Sequence, residues 1–166
     1  MNSISEAILN NDHKQGRKSS EPPLVVSKCG ESSQIVLPDA TLGGTTVTTA
    51  VITIDTSKFC NPCTKLEFTS NIIGTAFAGA LNFQVFKSCN NQQPLPIGGQ
   101  FSFVVPVASL FANMFTFFVC DCNQCLNECC TYTVMVTVGG VNITGNVGIF
   151  AARLMATTAD NPDLCC

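Results

Sequence analysis

From Cys29 onward, hydrophobicity alternates residue by residue along most of the chain, and a period of two confines such a chain to β-structure. Thr64–Ile72 sets Leu66, Phe68 and Ile72 on one face and Lys65, Glu67 and Thr69 on the other. Ala80–Lys87 sets Leu81, Phe83 and Val85 opposite Asn82 and Gln84, and Gln100–Val107 sets Phe101, Phe103, Val105 and Val107 on one face. Gln34–Leu37, Thr46–Asp55, Asn113–Cys122, Cys129–Val138 and Ile143–Thr157 complete about eight predicted strands, rich in the β-branched and aromatic residues that suit a pleated surface. Gly43-Gly44, Gly98-Gly99 and Gly139-Gly140 punctuate them as predicted turns. The economical fold is all-β: a single antiparallel β-sandwich of jelly-roll type, with an extended N-terminal arm. An immunoglobulin-like sandwich is the alternative, but it normally carries a core tryptophan, and this chain has none.

Residues 1–28 differ from the rest. Asn10-Asn11-Asp12, Gly16, Ser19-Ser20 and Pro22-Pro23 leave little apolar content between Leu9 and Leu24. This segment reads as a connector arm, with Leu24-Val25-Val26 as an extended exit able to add to an open sheet edge. Residues 29–166 read as one domain with a short C-terminal tail ending in cysteines, a size that suits a single core. Met1–Asp12 contains Glu6 and Asp12 and has no basic start followed by an apolar run, so no signal peptide is expected.

Charge is scarce. Charged residues make up 11% of the 166 residues, against about 25% in ordinary soluble domains. Between Cys89 and Ala152 the only charges are Asp121 and Glu128, which read as solubilising charges beside a turn. The net charge of −3 offers no basic patch for nucleic acid, and no apolar run is long enough for a membrane span. Asn113–Cys122, with Phe117-Phe118, is apolar on both faces. One face of a strand in a single-domain sandwich lies outside, so the second apolar face predicts an interface.

Eleven cysteines occupy positions 29, 60, 63, 89, 120, 122, 125, 129, 130, 165 and 166. Cys60-x-x-Cys63 and Cys122-x-x-Cys125 have the spacing of zinc-ligand pairs, but they lie far apart and the single histidine, His13, falls in the arm. A redox role for Cys60 and Cys63 would want a following helix, where Lys65-Leu66-Glu67-Phe68 reads as strand. Disulfides are therefore the default, and no metal or cofactor is expected. Cys122 and Cys129 flank the short link Asn123–Glu128 and could close a hairpin. Parity turns Cys130 inward with Tyr132 and Val134, and Cys129 outward with Thr131. An odd count leaves one thiol free or bonded to another chain. Cys165 and Cys166, past the last strand, and Cys29, at the hinge of the arm, are the candidates for bonds between chains. No catalytic motif occurs, so an enzyme is not expected.

The run Ile54-Asp-Thr56, Cys60-Asn-Pro-Cys63, Lys65-Leu-Glu-Phe68, Leu81-Asn-Phe-Gln-Val-Phe86, Phe118-Val-Cys120-Asp-Cys122-Asn-Gln-Cys125 and Cys129-Cys130-Thr-Tyr-Thr-Val134 resembles a family of short cysteine-rich proteins of unknown function from spore-forming clostridia. The resemblance covers roughly Cys29 to Thr157. In plan the chain is also similar to the endospore-appendage subunits of spore-forming bacilli, which are jelly-roll proteins with a connector arm that assemble into disulfide-locked fibres. Those subunits carry cysteines near the start of the arm. Here none precedes Cys29, so shared function would require different covalent wiring. The likeness implies a spore-surface location, reached from the mother cell without a signal peptide, and a chain whose partner is itself, through β-edge pairing, arm docking and disulfides. A jelly-roll binding module, for instance for a glycan, and an intracellular cysteine-based zinc-binding protein are the alternatives.

Overall fold

A computed structural model describes residues 24–90, 92–122 and 129–160. Among them there is no helix. Six strands form one antiparallel sheet: β1 (Val25–Cys29), β2 (Ser33–Leu37), β3 (Thr46–Asp55), β4 (Pro62–Cys89), β5 (Leu95–Asp121) and β6 (Cys129–Asp160). β4 and β5 are joined as a long hairpin. β6 lies on the other side of β4 and carries β1, β2 and β3 in succession along its far edge.

The count of six, against about eight expected, has a specific origin. Three pairs of predicted strands are each one continuous strand, and Val25–Cys29 is an additional one. Gly98 (φ 65°) and Gly140 (φ 78°), placed where turns were predicted, bend β5 and β6 without ending them. Gly43-Gly44 does form a turn. β4 bends through Ala76 (φ 51°) and Gly79 (φ 152°), where its pairing with β5 and β6 slips.

These bends make the core. Phe68 and Phe83 lie on the same strand, which if straight would hold them about 50 Å apart. Their ring centroids are 5.6 Å apart. Phe101 and Phe117 likewise meet along β5, stacked at 4.3 Å. The sheet therefore doubles back, and its two halves face each other across a cluster that includes Leu66, Phe68, Phe83, Val134, Ile149 and Leu154. Side-chain parity shifts wherever the backbone bulges. On β6, Val147 and Ile149 are buried before Ala151, and Ala152, Leu154 and Ala156 after it. Ala151 adopts φ 50°, and there β6 gains one residue relative to β4. A bulge of this kind keeps the apolar residues inward on both sides of a bend. The predicted inward set held for Leu66, Phe68, Ile72, Leu81, Phe83 and Val85, all buried, but not for Val107, which is exposed where β5 bends.

The end of the predicted arm departs from expectation. Val25–Cys29 pairs with Ala159–Met155 of its own β6, so the Leu24-Val25-Val26 exit adds to an edge within the chain. The remainder of the arm, residues 1–23, lies outside the described residues.

Candidate functional site

Because the sheet doubles back, the two ends of β4 arrive at one end of the molecule, and the chemistry collects there. Cys89 faces Cys130 in the β4–β6 register, and the two form a buried disulfide. At the start of β4, Cys63 is bonded to Cys122 at the end of β5. This second bond takes one cysteine from each C-x-x-C pair. It also replaces the expected closure of a hairpin by Cys122 and Cys129, since the residues that flank the 123–128 link lie on strands separated by β4. Cys130 is inward and Cys129 outward, as parity required.

Between the disulfides lies a polar cluster. Tyr132, fully buried, donates its hydroxyl to Asp121 Oδ2 at 2.8 Å, and Lys87 Nζ approaches the same oxygen at 2.8 Å. Asp121 is 7% exposed, so it is an interior anchor and not the solubilising charge expected. Its position was readable: Asp121 shares parity with Phe117 and Val119, Lys87 with Phe83 and Val85, and Tyr132 with Val134, all inward-facing runs. Glu128, the other charge, lies outside the described residues. Nearby, Asp160 Oδ1 accepts hydrogen bonds from the backbone N–H groups of Cys60 (2.8 Å) and Asn61 (3.1 Å), which fastens the turn into β4 to the end of β6. Asp55, at the end of β3, has its carboxylate pKa lowered chiefly by the backbone N–H of Ser57.

Four cysteines, Cys29, Cys60, Cys120 and Cys129, are exposed and unbonded. They stand on β1, the β3–β4 connection, β5 and β6 respectively. Cys125, Cys165 and Cys166 lie outside the described residues. Among the described residues no three His, Cys, Asp or Glu side chains gather as a metal site, and no helix is long and apolar enough to cross a membrane. A groove of about 720 Å³ is lined by residues including Glu67, Thr69, Thr116, Phe118 and Met155. Its one carboxylate, Glu67, is held by Lys65 at 2.7 Å.

The outer surface of β5 is the other distinctive feature. β5 is the last strand in the sheet order, so its far edge has no neighbour among the described residues. From Leu95 to Cys120 it carries no charged side chain. Leu110, Met114 and Phe118 are 78%, 74% and 62% exposed, which places the outward apolar face predicted for Asn113–Cys122. Sheet edges are ordinarily protected by charges, and by prolines such as Pro96 and Pro106 here.

A family model described as a domain of unknown function (DUF4489) matches residues 23–159. No curated protein matches the chain. Among solved structures, the enzymatically active domain of bacteriophage CBA120 tailspike protein 4 is 15% identical with a TM-score of 0.45, over 80% of this chain and 17% of that one. The VP2 subviral particle of infectious bursal disease virus is 11% identical with a TM-score of 0.44, over 94% of this chain and 42% of that one. The family 11 carbohydrate-binding module of Clostridium thermocellum is 16% identical with a TM-score of 0.36, over 78% and 87%. The chain thus spans less than half the length of the first two, and at these scores the likenesses assign neither ligand nor activity.

Proposed function

We propose that this chain, which belongs to the DUF4489 family of unknown function, is a structural, non-enzymatic subunit that polymerises with itself and is locked by disulfides between copies. The observation that carries this reading is the division among its cysteines. Cys63–Cys122 and Cys89–Cys130 are bonded, and disulfides persist in oxidising surroundings. Cys29, Cys60, Cys120 and Cys129 stand outside on different elements, open to another chain in those same surroundings. The uncharged edge of β5 supplies a non-covalent contact to be locked.

On this reading the two facing halves of the sheet are the two layers of a jelly-roll sandwich. The polymer is a fibre or layer on the surface of a spore, in keeping with the sequence resemblance to cysteine-rich clostridial proteins and to endospore-appendage subunits. Residues 1–22 act as a connector to the next subunit, and Cys165 and Cys166 join the exposed cysteines in bonds between chains. The zinc-binding alternative is disfavoured, because the Cys63–Cys122 bond withdraws one thiolate from each ligand pair.

Electron microscopy of the purified full chain, oxidised and then treated with reductant, tests the reading. It predicts ordered assemblies that survive boiling in detergent until a reductant is added. Dispersed single subunits after oxidation would refute it.

A further inference from the structure

We infer that the free edge of β5 pairs with the β5 edge of a second copy, antiparallel about a two-fold axis at Met114. This deepens the polymer reading and rests on it: the repeating unit becomes a symmetric dimer.

Three observations converge on a second copy as the occupant. The first is symmetry. Leu110, Met114 and Phe118 are the exposed large apolar residues of this stretch, spaced four apart on one face. A two-fold axis requires each patch to be complementary to itself, so that if residue i meets j, then j meets i. Antiparallel pairing centred on Met114 sets Met114 against its own copy and Leu110 against Phe118 twice. Ala112 then meets Thr116 on the same face, a small residue against a small one. The second is charge. The segment 110–118 contains no ionisable side chain, so the pairing sets no like charges opposite each other and needs no partner of opposite charge. The third is extent. A ladder over 110–118 from two copies, with the exposed side chains of the outer face, removes on the order of 1,000 Å² from water, near the lower bound for a specific interface.

The placement of the thiols fits such a unit. β1 lies at the opposite end of the sheet order from β5. A dimer joined through β5 therefore carries Cys29 on both of its outer edges, where further dimers can be bonded on.

The test is sedimentation equilibrium on the full chain with Cys120→Ser and the remaining exposed thiols alkylated, so that only non-covalent contacts are read. Met114→Lys places two cations at the axis and is expected to weaken dimerisation by about tenfold or more. Val141→Lys, at an exposed apolar residue on β6, is expected to leave it unchanged. Leu110→Glu and Phe118→Lys should each weaken it. Together they should restore it to within about threefold, because the introduced acid faces the introduced base across the axis. Circular dichroism of each variant reports that the fold is kept. A monomeric parent, equal effects of the changes at 114 and 141, or no rescue in the double variant would overturn the dimer. Covalent fibres that still form from the oxidised parent would then show that the polymer reading survives without it.

Discussion

The cluster of Lys87, Asp121 and Tyr132 buries an ion pair and a hydroxyl donor beside the two disulfides. Removing one partner of a buried pair leaves the other uncompensated. Asp121→Ala is therefore expected to lower stability by about 3–5 kcal/mol. Tyr132→Phe, which removes only the hydroxyl donor, should lower it by about 1–3 kcal/mol. Replacing both charges, as Lys87→Met with Asp121→Leu, should cost less than Asp121→Ala alone, since apolar side chains of similar volume remove the desolvation penalty. Urea unfolding curves with the disulfides intact check all three. Equal costs for the single and double replacements would mean that the pair is not coupled in the interior.

At the level of the strand, register decides what is inside. The extra residue at Ala151 is what lets a strand of alternating pattern keep Val147 and Ile149 buried on one side of the bulge and Leu154 and Ala156 on the other. Deleting Ala151 should turn one of these sets to solvent and abolish cooperative unfolding. Ala151→Gly retains the count and relieves a non-glycine residue at positive φ. It is expected to be neutral or to stabilise by up to about 1 kcal/mol, read as a small rise in Tm. Alternation made the strands themselves legible from sequence: every predicted run lies within an observed strand except for Cys122, one residue past the end of β5, because inward position follows from period two. What alternation could not give is continuity. A glycine pair signals a bend and a turn alike, and only the pairing partner along both sides, here β4 beside β5 and β6, determines that the strand goes on. The cysteine pairing was equally hidden. Cys63 and Cys122 are 59 residues apart in sequence and meet because β5 returns beside the start of β4, a relation of topology and not of spacing. The inward position of Asp121, by contrast, was legible in its parity, and its charge argued the other way.

Across the whole molecule, covalent and non-covalent ties are divided between inside and outside. The two internal disulfides close loops of 59 and 41 residues, and in the chain-entropy description each constrains the unfolded chain by about 4 kcal/mol. Cys63→Ser with Cys122→Ser should thus lower stability by about that amount in chemical denaturation, while leaving the exposed cysteines able to react. On the proposed reading, the outer thiols Cys29, Cys60, Cys120 and Cys129 bond to other copies. The most direct measurement mixes isotopically light and heavy full-length chains in the reduced state, oxidises them together, and maps disulfide-linked peptides by mass spectrometry without reduction. The account predicts hybrid light–heavy pairs for peptides containing Cys29, Cys60, Cys120 or Cys129, with Cys63–Cys122 and Cys89–Cys130 found only as light–light or heavy–heavy pairs. Complete absence of hybrid pairs would contradict a polymer locked by bonds between chains.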